Sequence, residues 1–138
     1  MAEPSYKIFL VDDDKFLVDM YSLKFSEKGY EIVTAASATE ALEKLTSPQN
    51  NYQPNIFLID VIMPTMDGFQ LLEELKKRNL NQNAVMIILS NLGQKEDIEK
   101  ALALGVDGYI IKASATPSEV VTKVVEIASQ AKEKKSSA

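Results

Sequence analysis

The chain has 138 residues, 46% of them hydrophobic and 25% charged, which fits one folded domain with its own core and excludes a disordered chain. It contains no Cys and no His, so disulfides, thiolate nucleophiles, Ser-His-Asp triads and Cys- or His-ligated metals are excluded. A net charge of −5 argues against nucleic acid as a direct partner, and the longest apolar run, Ala84–Leu89, is too short to span a bilayer, so no membrane association is expected.

The N-terminal stretch MAEPSYK lacks a basic region followed by an apolar run, so no signal peptide is expected and the location is read as cytoplasmic. From there apolar runs alternate with helical patterns five times. Tyr6–Val11 reads as the first strand, and Asp14 caps a helix over about 15–28 with Gly29 just past its end. Glu31–Ala35 is the second strand, followed by Ser37 and Glu40 at capping-box spacing. Asn55–Ile59 is the third, and Asp67 caps a helix carrying Phe69, Leu71, Leu72 and Leu75. Ala84–Leu89 is the fourth, with Asn91 or Gln94 opening a helix that ends before Gly105. Asp107–Ile111 is the fifth, and Thr116, Pro117 and Glu119 open a last helix with Val120, Val121, Val124, Val125 and Ala128 on one wide face. Residues 131–138 read as a frayed basic tail beyond a core at about 6–130.

The first, third and fourth strands are almost continuously apolar, the pattern of strands buried on both faces of a parallel sheet. Five βα units in series predict an α/β doubly wound fold, with the site beyond the carboxyl ends of the strands. The polar residues stand at those ends. Asp12, Asp13 and Asp14 follow the first strand, Asp60 the third, Ser90 the fourth and Lys112 the fifth. Taken singly, each has an ordinary reading: helix cap, turn residue or solvated charge. Taken together, Asp12, Asp13 and Asp60 form a hard-oxygen cation site if their strands are neighbours. Mg²⁺ fits such a site, with Mn²⁺ or Ca²⁺ as competitors. Three aspartates and Lys112 sum to −2, which a divalent ion neutralises.

Four strings, LVDDD at 10–14, LIDVIMPTMDG at 58–68, ILSN at 88–91 and GYIIK at 108–112, resemble the receiver domain of two-component response regulators, chemotaxis-type and single-domain. The likeness spans about residues 6–130 and implies the flavodoxin-like strand order 2-1-3-4-5, an order for which this family is itself a standard example. It also implies residue roles. Asp60 matches the aspartate that accepts a phosphoryl group. Asp13 matches the direct Mg²⁺ ligand, Asp12 the acid that reaches the metal through water, and Ile62 the backbone carbonyl of the metal shell. Ser90 matches the phosphoryl-binding hydroxyl, Lys112 the motif lysine and Tyr109 the aromatic switch residue. Ile62 and Leu92 match positions that border the water which hydrolyses the acyl phosphate.

The implied partners are a sensor histidine kinase or histidine phosphotransfer protein, and a downstream protein or homodimer mate on the face of the fourth helix, fifth strand and fifth helix. No activity is expected beyond self-phosphorylation and self-dephosphorylation. A Mg²⁺-dependent aspartyl-phosphate phosphatase is the rival, but its typical D-x-D at the first strand is missing here. A flavin binder would need a Gly/Ser/Thr-rich phosphate loop where this chain has acids. Two residues depart from the family pattern: Ala113 stands where proline usually follows the lysine, and Asn91 where a small residue usually follows the serine. A trans Lys112–Ala113 bond and a readjusted loop over 113–116 are expected.

Overall fold

A computed structural model describes residues 6–48, 53–81 and 83–137; the stretch at 1–5 read above for a signal sequence lies outside the described residues, as does Ala138. The strands are β1 (Lys7–Val11), β2 (Glu31–Ala35), β3 (Ile56–Ile59), β4 (Val85–Ser90) and β5 (Gly108–Ile111). The helices are α1 (Lys15–Glu27), α2 (Ala38–Thr46), α3 (Gly68–Lys77), α4 (Lys95–Ala103) and α5 (Pro117–Ser137), with a 3₁₀ turn at Lys112–Ser114. The sheet is parallel with order β2-β1-β3-β4-β5, the flavodoxin-like doubly wound arrangement the sequence predicts. No described helix is long and apolar enough to cross a membrane.

Side chains alternate across the sheet with period two, and each set meets its own helices. Phe9, Val11, Phe57, Ile59, Met86 and Ile88 pack with α2, α3 and α4 through Leu42, Leu72, Leu75 and Ala101. Ile8, Leu10, Ile56, Leu58, Ile87 and Leu89 face the other way and pack with Tyr21 and Phe25 of α1 and with Val120, Val124 and Ala128 of α5. Each such side chain, fully buried, contributes about 1.5–3 kcal/mol of transfer free energy. This burial on both sides explains why β1, β3 and β4 show no polar alternation. The valines of α5 have mediocre helix propensity; the sheet holds them in place.

The helix ends follow local chemistry. Asp14 Oδ1 accepts from the Leu17 N–H at 3.1 Å and caps α1, while Gly29 takes φ +87° beyond its end. Ser37 Oγ accepts from the Glu40 N–H at 3.1 Å, but the Glu40 carboxylate returns to the Ala36 N–H, one residue before the cap. Asp67 and Gln70 exchange bonds at 2.8 and 2.9 Å in a complete capping box. Gln94, not Asn91, precedes the first turn of α4. Thr116 and Glu119 cap α5 reciprocally, and those bonds hold the exposed Glu119 carboxyl below its ordinary value. The α5 backbone continues to Ser137, through residues the sequence reading gave to a frayed tail.

Gly68, the first residue of α3, fixes how the loop after β3 returns to the sheet. Its N–H donates to the Val61 carbonyl at 2.8 Å, and a Cβ built there falls 2.2 Å from the Asp60 carbonyl oxygen. That is backbone, which cannot yield as a flexible side chain does. Gly68→Ala is therefore expected to destabilise by about 1–3 kcal/mol, seen as a fall of about 3–10 °C in thermal melts. An unchanged Tm would refute this close approach.

Candidate functional site

Strand order decides which polar residues meet. β1 and β3 are adjacent in register, with Val11 opposite Ile59, so Asp12 and Asp60 leave the sheet side by side. The Asp12 N–H donates to Ala35 and the Asp60 N–H to Val11, so both backbones are still pinned by the ladder. β4 lies next to β3 and ends in Ser90; β5 is the edge and hands over to Lys112. Asp12, Asp13 and Asp60 each bring a carboxylate oxygen to within 4.8 Å of the others.

Asp12 is 1% exposed and Asp60 6%, while Asp13 is open to solvent. The Lys112 side chain, only 7% exposed, reaches between the two buried acids. Its Nζ lies 2.6 Å from Asp12 Oδ2 and 3.2 Å from Asp60 Oδ2. Asp12 Oδ1 accepts from the Asp14 N–H at 2.9 Å. Asp12 Oδ2 has no hydrogen bond of good angle; the Lys112 charge is its partner.

The electrostatics follow from this crowding. Burial, and next the negative charge of Asp12, push the Asp60 carboxyl from the ordinary 3.8 up to about 6, with Lys112 opposing. Burial pulls the Lys112 ammonium down, but its close pairing with Asp12 and Asp60 outweighs it and holds it above its ordinary value. Three aspartates against one lysine leave −2 at the crevice. The donors are hard oxygens within reach of one another, and one of them lacks a proper hydrogen bond. That set fits a divalent cation of the Mg²⁺ type.

Ser90 is fully buried, and its Oγ accepts from the Leu92 N–H at 3.3 Å. The Tyr109 hydroxyl donates to the Leu92 carbonyl. One residue of the β4–α4 loop thus connects Ser90 to the half-buried Tyr109. Burial, then the charges of Asp97 and Asp60, raise the Tyr109 phenol above its ordinary value. Of the two side chains expected to border an attacking water, Ile62 is 59% exposed. Leu92 is half-buried and packs against the α2–α3–α4 side of the core. Lys112–Ala113 is trans, as expected, since no described peptide bond is cis.

Sequence reading missed Thr65. It sits at φ +72° at the centre of a tight turn in which the Met66 N–H donates to the Pro64 carbonyl at 2.9 Å. A β-branched residue in the left-handed region is strained by on the order of 1–3 kcal/mol. Nothing in the string Pro64-Thr65-Met66 announces it, because turns of this hand are ordinarily signalled by Gly or Asn.

Comparison with known proteins agrees along the chain. The sequence profile of the response regulator receiver domain matches residues 8–125. The chain is 34% identical over 110 residues to the chemotaxis protein CheY of Treponema pallidum, covering 78% of this chain and 72% of that one. It is 36% identical over 118 residues to the probable transcriptional regulator ycf27 of Cyanophora paradoxa, covering 86% of this chain and 46% of that one. It therefore spans about half the length of the second relative. Among solved structures, a CheY-like receiver domain protein from Methanospirillum hungatei JF-1 superposes with a TM-score of 0.80 at 28% identity, covering 95% of this chain and 99% of that one.

Burial and the neighbouring Asp12 charge both act against an ionised Asp60. Its folded-state value lies above its unfolded one, so the wild type loses stability as pH rises from about 4 to about 6. Asp60→Asn removes that loss. In metal-free buffer the variant is expected to melt about 3–8 °C higher at neutral pH, with the gain shrinking to nothing near pH 4. Parallel Tm–pH curves for the two proteins would contradict the assignment.

Proposed function

The chain belongs to the response regulator receiver family, and from that premise we propose that Asp60 is the phosphoacceptor of a two-component phosphorelay. The observation that carries this reading is the buried Lys112 ammonium, 3.2 Å from a buried Asp60 carboxylate, in a crevice open on the Asp13 side. An Asp60 oxygen attacks the phosphorus of a phosphohistidine on a sensor histidine kinase or histidine phosphotransfer protein. The phosphorus–nitrogen bond breaks and the imidazole leaves. Lys112 answers charge on one phosphoryl oxygen, and the Ser90 hydroxyl donates to another. Asp12, Asp13, Asp60 and the Ile62 carbonyl would hold Mg²⁺, or Mn²⁺ in its place, which when bound supplies positive charge to the transferring oxygens. Two large exposed apolar side chains near the crevice acids in sequence, Phe16, 71% exposed, and Ile62, offer contact area to a protein partner.

Transfer replaces one carboxylate charge by nearly two phosphate charges. The Ser90 hydroxyl then donates to the new phosphoryl oxygens and is drawn toward them, carrying the Leu92 N–H that donates to its Oγ. Movement of that loop alters the carbonyl that holds Tyr109. The α4–β5–α5 face around Tyr109, with exposed Leu102, takes the downstream protein or a homodimer mate. The chain works as a signalling module that forms and hydrolyses its own acyl phosphate, not as an enzyme of separate substrates. Multiple turnover of small phosphate esters would instead favour the aspartyl-phosphate phosphatase.

Incubation with acetyl phosphate and Mg²⁺ is expected to add one phosphoryl group by mass spectrometry, and Asp60→Ala to add none. Asp13→Ala is expected to show no Mg²⁺ binding by calorimetry. A labelled Asp60→Ala protein, or Mg²⁺ affinity unchanged in Asp13→Ala, would defeat the assignment. Ile62 offers an attacking water no hydrogen bond, so its acyl phosphate is expected to be long-lived. Ile62→Asn speeds its decay in this reading; equal decay curves would remove Ile62 from the account.

A further inference from the structure

The loop after Ser90 and the loop after Lys112 are joined across 22 positions of chain. The Ala113 backbone N–H donates to Asn91 Oδ1 at 3.0 Å. Asn91 directly follows Ser90, the last residue of β4. Ala113 directly follows Lys112 in the 3₁₀ turn that leaves β5. Backbone pairing between these strands ends at Ser90 opposite Ile111. The Asn91 amide therefore extends the ladder one step further, with a side-chain oxygen where a strand would offer a carbonyl.

The contact depends on residue type at both ends. Leucine or alanine at 91 has no acceptor, and proline at 113 has no N–H. Beyond the Lys112 ion pairs and the packing of Ala115 on the α1–α5 side of the core, the turn is held by few bonds among the described residues. Its own bond, from the Ala115 N–H to the Lys112 carbonyl, is long at 3.3 Å. Yet Lys112 must project from this turn with its ammonium placed between Asp12 and Asp60. The energetics of phosphoryl transfer rest on such placement, so a small displacement of the turn costs rate.

We infer that Asn91 is a positioning residue for the reaction at Asp60, its amide holding the Ala113 N–H and thereby fixing the Lys112 ammonium relative to the Ser90 hydroxyl. This rests on Asp60 being the phosphoacceptor. Asn91 acts through the turn and touches none of the reacting atoms.

The test uses the full chain with acetyl phosphate as the phosphoryl source and saturating Mg²⁺. Asn91 is exposed, so Asn91→Leu keeps the fold, with a Tm within about 5 °C of the wild type, and saturating Mg²⁺ keeps the cation site filled in both proteins. Its saturating phosphorylation rate is expected to fall about fivefold, the kinetic equivalent of one lost hydrogen bond. In an Ala113→Pro background, where the donor is already gone, Asn91→Leu is expected to change nothing further. A wild-type rate in Asn91→Leu overturns the inference. So does an equal loss in both backgrounds, which would mean that Asn91 contacts the phosphoryl group directly. Hydrogen exchange of the Ala113 amide, followed by NMR without any phosphoryl donor, reads the contact itself. Exchange is expected to be faster in Asn91→Leu, and unchanged exchange overturns the inference even if Ala113→Pro fails to fold. A wild type that accepts no phosphoryl group would defeat the Asp60 reading instead, a failure that the exchange measurement separates from this one.

Discussion

One buried positive charge organises this molecule's working end. Lys112 sits between Asp12 and Asp60, and neither acid has another strong cationic partner in reach among the described residues. Burying three charges is expensive, and the attraction between them recovers that expense only when geometry is good. Here the geometry comes from the sheet. Asp12 and Asp60 leave paired strands, and Lys112 reaches them across the end of β4, whose Ser90 lies in between. The fold delivers the site because every strand ends on the same edge.

The arrangement is also incomplete by design. One ammonium for three carboxylates leaves two negative charges, and burial, with the neighbouring Asp12 charge, raises the Asp60 value against the pull of Lys112. A crevice already neutral would offer a divalent cation little attraction. Stability and function are therefore opposed at Asp60, where the charge that disfavours the resting fold is the same charge proposed to attack phosphorus.

Much of this was legible in the sequence, for physical reasons that differ by element. Near-continuous apolar runs at β1, β3 and β4 identified buried parallel strands, because both faces of each are covered by helices. Asp14, Ser37, Asp67 and Thr116 were readable as caps because capping is local chemistry. The choice between Asn91 and Gln94 for α4 was not readable, since both side chains can cap; Asn91 is drawn away by a residue 22 positions later. Asp12, Asp13, Asp60 and Lys112 could be grouped by their places after strands, but the burial of Lys112 and the exposure of Asp13 could not. The departures at Asn91 and Ala113 looked independent in the sequence. In three dimensions they are two ends of one hydrogen bond, visible only once β4 and β5 are known to pair. Leu92 has a second part the sequence does not announce: its half-buried side chain packs on the core, while its backbone carries the link from Ser90 to Tyr109.

If a single ammonium partly neutralises the acids proposed to hold a divalent cation, then ammonium and cation compete in charge. Calorimetric titration of Mg²⁺ into the wild type and into Lys112→Met at neutral pH tests this directly. The account predicts tighter binding in the variant, by about tenfold, because removing one positive charge from a buried site leaves the acids more attractive to another. Unchanged or weaker Mg²⁺ affinity in Lys112→Met would contradict it.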